Sequence, residues 1–251
     1  MARVIRSAQS VVPDMLWGRS KLDFVPLNFD RRALALLLAH GSGLPSNLSK
    51  GFEYAGLELL PVRGVEACFE SLSSNKPDLV IFDPSMLPCP TRDFLARVDA
   101  TRLTETLPVL AISDSTSETF SCATLSCQSG IAETFLTVRS SLRRERPGVL
   151  HEQRHIGRFT LDERKFQLLH GDASATLSKS DLCVLGPFFD IRDAIFDRAS
   201  LARLVFDPTG QNVADRNIDV YVSRVRRSIR QQLGQETIRS VRGVGYRFAS
   251  D

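Results

Sequence analysis

From Ala33 onward, short apolar runs alternate with longer mixed segments. Ala33–Ala39, Leu57–Val62, Leu79–Phe82, Val109–Ile112 and Phe135–Val138 are aliphatic and show little alternation of apolar with polar positions. Runs of that kind suit strands buried on both faces of a parallel sheet. Between them, Val65–Leu72 and Arg92–Val98 space their apolar residues as helices do, and Pro108 stands as a breaker ahead of the fourth run. Repeated strand–helix units predict a doubly wound α/β sheet with its site at the carboxyl ends of the strands. Residues 1–31, which hold the only tryptophan, Trp17, have no clear period. They read either as an arm packed on the first domain or as an extension without order.

The pattern changes after the charged stretch Arg143–Arg146 and the breaker pair Pro147-Gly148, which mark a linker over 142–154. Ile156–Asp162 and Lys165–Asp172 predict a hairpin-rich antiparallel platform. A first helix follows at Leu177–Leu185, where Ser178 and Asp181 form a capping-box start and Gly186-Pro187 should break or kink it. A second helix is predicted over Asp197–Phe206, with Leu201, Leu204 and Val205 facing the core. Ile218, Val222, Val225, Ile229 and Leu233 then recur at spacings of three and four, one face of a helix running from about Val213 to Leu233. Asp215 is its expected N-cap, Asp219 suits the helix dipole in the first turn, and Gly234 ends it. Arg216, Arg224, Arg226, Arg227 and Arg230 occupy its other faces. Ile238–Arg242 and Tyr246–Phe248 read as two strands joined by a tight reversal at Gly243 and Gly245.

Composition sharpens this picture only locally. The 251 residues suffice for two modest domains, and the net charge is just +3. Eight arginines stand against four acidic residues between Val213 and Asp251, so basic character is concentrated at the end of the chain. Five scattered cysteines (Cys68, Cys89, Cys122, Cys127, Cys183) form no Cys-x-x-Cys pair, and four histidines show no metal-ligand spacing. That argues for reduced thiols in a cytosolic setting, with no metal, cofactor or catalytic centre expected. No apolar run approaches membrane-spanning length, and no leader pattern is evident, so cytoplasm is the expected compartment.

An Arg-rich helix face is by itself as often a solvated surface as a binding site. The hairpin decides between them. The stretch Asn217-Ile218-Asp219-Val220-Tyr221-Val222-Ser223-Arg224-Val225-Arg226-Arg227-Ser228-Ile229-Arg230, followed by Ile238-Arg239-Ser240-Val241-Arg242-Gly243-Val244-Gly245-Tyr246-Arg247-Phe248, closely resembles the C-terminal effector domain of OmpR/PhoB-family response regulators. That resemblance implies a winged-helix (α+β) DNA-binding domain over 155–251. Its recognition helix would enter a major groove and its wing tip would reach phosphate or the adjacent minor groove. Arg224, Arg227 and Arg230, helped by Tyr221 and Ser223, are the expected base or phosphate contacts. Arg216 and Arg226 are expected at the backbone or the edge, and Arg242 at the wing tip. Two subunits on direct-repeat double-stranded DNA would be the family arrangement, and the 207–214 loop is where the family contacts RNA polymerase.

The segment 32–141 resembles a receiver, a doubly wound flavodoxin-like domain, more weakly. Lys76–Asp83 is similar to the third receiver strand, whose final Asp accepts a phosphoryl group, and Pro108–Ser113 to the fourth, which ends in the switch residue. Asp83 and Ser113 are thus the candidate phosphoacceptor and switch. Phosphorylating an Asp requires Mg²⁺ held by hard oxygen ligands. The family's acidic pair at the end of the first strand is replaced by Ala39-His40-Gly41-Ser42. Its lysine after the fifth strand is replaced by Thr137-Val138-Arg139 if Phe135–Val138 is that strand, and arginine differs from lysine in reach and geometry. Pro88 follows Asp83 at five residues where the family has four, and the fifth helix, compressed to Ser140–Arg146, would weaken the family's dimer face. Asp83 then reads as a strand-end aspartate capping the next turn, and Cys89 near the same edge as a buried or idle thiol in preference to a redox sensor.

These residues predict a DNA-binding regulator acting without aspartate phosphorylation. The alternatives are a conventional regulator phosphorylated at Asp83 by a histidine kinase, and an interaction module whose receiver relic binds another regulator.

Overall fold

The computed structural model describes residues 32–39, 43–101, 106–115, 120–150, 153–206 and 217–249, and the main chain of 3–5. Two compact units emerge: Leu27–His151, and Met1–Pro26 together with Glu152–Asp251. No described helix is long and apolar enough to cross a membrane.

The first unit is a five-stranded parallel sheet. Its strands are β2 (Ala33–Leu38), β3 (Leu57–Pro61), β4 (Leu79–Phe82), β5 (Val109–Ile112) and β6 (Ala123–Leu125), in the order β3-β2-β4-β5-β6. (β1, Arg3–Ile5, belongs to the second unit.) Four of these match the predicted apolar runs. The fifth does not: Phe135–Val138 lies inside a helix, α4 (Ile131–Glu145). Ala132, Phe135, Leu136, Val138 and Leu142 sustain a three-and-four spacing on both sides of that run, which a strand cannot use. The true fifth strand, Ala-Thr-Leu, is three residues long and too short to register as an apolar run. The last helix is therefore fifteen residues long, and the compression expected at Ser140–Arg146 is absent.

Helices α2 (Val65–Asn75) and α3 (Thr91–Ala100) stand where their periodicity placed them. The bidentate Arg97–Glu66 pair joins them at 2.8 Å, with the Arg97 guanidinium 3.9 Å from the Phe69 ring centroid. Helix α1 (Ser46–Tyr54) was not legible. It buries Leu48 and Phe52, and Gly51 lets its backbone approach α4, since a Cβ there would lie 2.4 Å from Thr134 Cβ. Buried Asp78 accepts the Leu34 N–H at 3.0 Å and an Arg146 guanidinium N–H at 2.9 Å, fastening the end of α4 to the sheet.

The second unit opens with the expected antiparallel platform: β7 (Gln153–Ile156), β8 (Phe159–Asp162), β9 (Gln167–His170) and β10 (Ala173–Thr176). Helix α5 (Lys179–Asp190) starts in a complete capping box, with Ser178 accepting from the Asp181 N–H and Asp181 accepting from the Ser178 N–H. It then continues through Gly186-Pro187, against the expected break. Pro187 removes one helical donor, but every residue of Asp181–Asp190 is buried and the packing holds the segment. The Phe188 ring lies edge-on to Phe196 and the Phe189 ring edge-on to Phe248. Fully buried Arg154 pairs with fully buried Asp190 at 2.7 Å, closing the helix end onto β7.

After β11 (Ala194–Phe196) come α6 (Arg198–Val205), α7 (Ile218–Leu233), β12 (Ile238–Val241) and β13 (Gly245–Phe248). In α6, Leu201 and Val205 are buried and Leu204 only half-buried. Helix α7 begins at Ile218, later than the predicted Val213, because the Asn217 side chain accepts the Asp219 N–H at 2.9 Å and caps it there. Asp215, the expected cap, lies outside the described residues. Gly234 ends the helix in the left-handed region, with φ +69°. The second sheet has the order β1-β11-β13-β12, where β1 (Arg3–Ile5) comes from the N-terminal extension. Residues 3–5 thus pair within the second unit and not, as one reading of the extension had it, with the first.

Candidate nucleic-acid interface and receiver-like pocket

Helix α7 separates two faces cleanly. Ile218, Val222, Val225 and Ile229 are buried, while Val220, Ser223, Arg224, Arg227, Arg230 and Gln231 are exposed on the other side. Gln232 secures the helix by bridging both backbone groups of Thr176, accepting from its N–H at 2.8 Å and donating to its carbonyl at 3.2 Å. Val220, 61% exposed and on the arginine face, was absent from the sequence-derived set. An exposed β-branched residue among exposed arginines is chemically suited to a thymine methyl. Its signal was available, since it falls off the apolar stripe defined by its neighbours.

The arginines differ in what they already hold. Arg224, Arg227 and Arg242 are exposed. Arg230 pairs with Glu236. Arg226 donates from Nε to the Ile238 carbonyl at 2.6 Å and from Nη2 to Ser240 Oγ at 3.0 Å, so it ties the helix to β12. Tyr221 is half-buried, its ring edge-on to Phe206 at 4.6 Å, which makes it a packing residue of α6 and α7. Ser223 is exposed beside Arg224, and Arg216 and the 207–214 loop lie outside the described residues. Arg226, Arg230, Glu236, Ile238, Arg239 and Ser240 line a cleft of about 340 Å³ between helix and wing.

The wing geometry depends on its glycines. Gly243 turns the hairpin at φ +72°, next to exposed Arg242. Gly245 lies against β11 so closely that a Cβ would sit 2.0 Å from the Phe196 carbonyl oxygen. The following residue supplies a link that sequence reading missed. The Tyr246 hydroxyl donates to Asp219 in the first turn of α7, and Arg198 donates to the same carboxylate at 3.0 and 3.3 Å. The Arg198 and Arg226 guanidinium carbons each lie 5.4 Å from the Tyr246 ring centroid. Burial, then the hydrogen bond to Asp219, pushes the Tyr246 hydroxyl up to about 12. One aromatic residue therefore joins α6, α7 and β13.

At the carboxyl end of the other unit's sheet, Asp83 and Ser113 follow the adjacent strands β4 and β5. The Asp83 carboxylate accepts the Ser85 N–H at 2.9 Å and the Ser85 hydroxyl at 2.7 Å, capping the short 3-10 turn Pro84–Met86. Ser113 accepts the Ser115 N–H at 3.2 Å. The Asp83 N–H donates to Leu38, so the end of β2 lies alongside; 39–42 there contain no carboxylate, and 40–42 are outside the described residues.

With the strand assignment corrected, the end of the fifth strand is Ser126-Cys127, and Arg139 belongs to α4. No lysine or arginine occurs in 123–130. Asp114 holds that corner, accepting the Ser126 hydroxyl at 2.5 Å and the Cys127 N–H at 2.8 Å. The Ser126 hydrogen bond keeps the Asp114 carboxyl below its usual range. Burial, followed by the negative charges of Asp114 and Asp83, pushes the Cys127 thiol up, away from a reactive thiolate. Cys89 is exposed, not buried, and Cys68, Cys122 and Cys183 are buried. Among the described residues no three His, Cys, Asp or Glu side chains are grouped to hold a metal ion.

Comparison with known proteins agrees with this layout. Residues 172–248 match the family model described as "Transcriptional regulatory protein, C terminal". The chain is similar to the phosphate regulon transcriptional regulatory protein PhoB of Rhizobium meliloti (strain 1021), 26% identical over 232 residues covering 88% of this chain and 96% of that one. It is also similar to the transcriptional regulatory protein PrrA of Mycobacterium tuberculosis, 26% identical over 225 residues covering 84% and 94%. A solved structure of the Klebsiella pneumoniae RstA DNA-binding domain in complex with RstA box aligns at 29% identity, covering 40% of this chain and 100% of that one, with a TM-score of 0.33.

Proposed function

We propose that this chain is a transcription regulator of the OmpR/PhoB response-regulator type that binds DNA through α7 and its wing and acts without phosphorylation of Asp83. The coarser part rests on the winged-helix unit, the family match over 172–248 and the similarity to PhoB and PrrA along most of the chain.

The observation that carries the DNA-binding mode is the separation of roles among the basic residues. Arg226 and Arg198 serve the helix–wing junction, leaving exposed Arg224 and Arg227 on the helix and Arg242 on the wing for the nucleic acid. Arg224 and Arg227 read base edges or phosphates in a major groove, Val220 adds an apolar contact, and Arg242 meets phosphate beside it. Arg230 and Ser223 contribute at the flanks, and Arg216 at the backbone. Two copies on a direct repeat, with the 207–214 loop facing RNA polymerase, complete the arrangement. Binding assays on the intact protein test this. Arg224→Ala should cost about 1–3 kcal/mol and relax specificity at one position. Arg242→Ala should weaken binding evenly across sequences and flatten its salt dependence. Unchanged affinity in both variants would contradict the docking mode.

Phosphorylation independence rests on the first unit's own chemistry. Residues 39–42, which follow the neighbouring strand, contain no acidic pair for Mg²⁺, and the corner expected to hold a lysine holds Ser126 and Cys127 bonded to the carboxylate of Asp114. A phosphoryl group at Asp83 would meet carboxylate where the chemistry needs cation. A conventional, kinase-driven reading is favoured by Asp83 and Ser113 ending adjacent strands. Magnesium titration of the intact protein separates the two readings, and partner-dependent DNA occupancy would favour an interaction module instead.

A further inference from the structure

The second unit's wing sheet has a fourth strand that the winged-helix reading does not require. Arg3, Val4 and Ile5 pair in parallel with Ala194, Ile195 and Phe196. The β-branched pair Val4-Ile5 is suited to such a strand. Without β1, β11 would be an edge strand with one row of backbone groups unpaired. Sequence connectivity makes the pairing consequential, because Leu27–His151 is then an insertion within the second unit, joined to it at both ends.

What β11 touches gives the strand a reason to matter. Ile195 and Phe196 pair on their other side with Arg247 and Tyr246 of the wing. The Phe196 carbonyl is the group against which Gly245 is pressed. The next two residues, Asp197 and Arg198, cap α6 through Ser200 and bind Asp219 at the start of α7. Any loosening of β11 therefore reaches the wing and the recognition helix through one or two residues.

We infer that residues 3–5 are a control strand acting within their own chain, closing the β11 edge and thereby fixing the junction of recognition helix and wing.

The test compares the full chain with a variant lacking residues 2–6 and with the length-preserving triple variant Arg3→Gly, Val4→Gly, Ile5→Gly. Amide deuterium exchange is followed in all of them at two protein concentrations. Both variants should exchange about tenfold faster across 194–196 and 245–248. The platform strands β7–β10 and the strands of the first unit should keep wild-type rates. Unchanged exchange at 194–196, or uniform acceleration across the whole second unit, would overturn the control strand. Protection in the wild type that grows with concentration would overturn its action within one chain, by assigning the strand to a second copy. This readout does not depend on DNA binding, so it fails separately from the proposed function. DNA affinity should fall about fivefold in both variants. Unaltered affinity alongside local acceleration would overturn the coupling to the wing.

Discussion

The two polar sites of this molecule treat their charged groups in opposite ways. At the DNA-binding face, a network of Asp219, Tyr246, Arg198 and Arg226 is satisfied internally, and around it stand arginines directed to solvent. At the receiver-like pocket, Asp83 and Asp114 are satisfied by neighbouring serines and backbone N–H groups, with no cation beside them among the described contacts. A binding site needs some polar groups held rigid and others left to meet the ligand. The first site has both kinds. The second has carboxylates already occupied with holding turns.

Four substitutions would break or sharpen that contrast. Gly245→Ala should have the largest effect. Its Cβ meets backbone, which cannot rotate away, so a loss of about 3 kcal/mol in urea unfolding and disruption of DNA binding are expected. Arg224→Ala should leave stability within about 0.5 kcal/mol while costing about 1–3 kcal/mol in specific DNA affinity. Tyr246→Phe should cost about 1.5 kcal/mol of stability at neutral pH, since it removes a hydrogen bond to a charged acceptor. The folded protein raises the Tyr246 hydroxyl from 10.0 to about 12, so its contribution is complete below pH 10 and lost as pH rises toward 12. The Phe variant should therefore show a flatter stability profile over pH 10–12, measured by denaturation at each pH. Asp83→Ala should have the smallest effect. It removes the side-chain cap of a single 3-10 turn, worth about 1 kcal/mol, with no change in DNA affinity.

The sequence carried the DNA-binding unit well because its signals are local. The stripe Ile218, Val222, Val225, Ile229 and the turn glycine at 243 each declare their role within a few residues, whereas Gly245, read as part of the reversal, is the first residue of β13 and is needed for its close approach to Phe196, which no local pattern shows. The Tyr246–Asp219 bond was not legible, since its partners are 27 positions apart and each had an adequate local reading as strand residue or dipole residue. Arg226 was indistinguishable from Arg224 by type, although two positions of helical rotation turn it toward β12. In the first unit the main error was one of period. Phe-Leu-Thr-Val is strand-like in isolation, and only Ala132 before it and Leu142 after it reveal the helix. That error displaced the end of the fifth strand by about a dozen residues and concealed Asp114, Ser126 and Cys127 as the groups that fill the pocket's corner. The pairing of residues 3–5 was beyond reach, because three residues define no period and their partner lies 191 positions away.

The most direct test of the central claim is genome-wide DNA occupancy of the wild-type protein and Asp83→Ala in the native host. Equal occupancy of the same repeated sites is the predicted result, with the pocket working through its internal bonds alone. Loss of occupancy in the variant would contradict the account and make Asp83 the switch on which DNA binding depends.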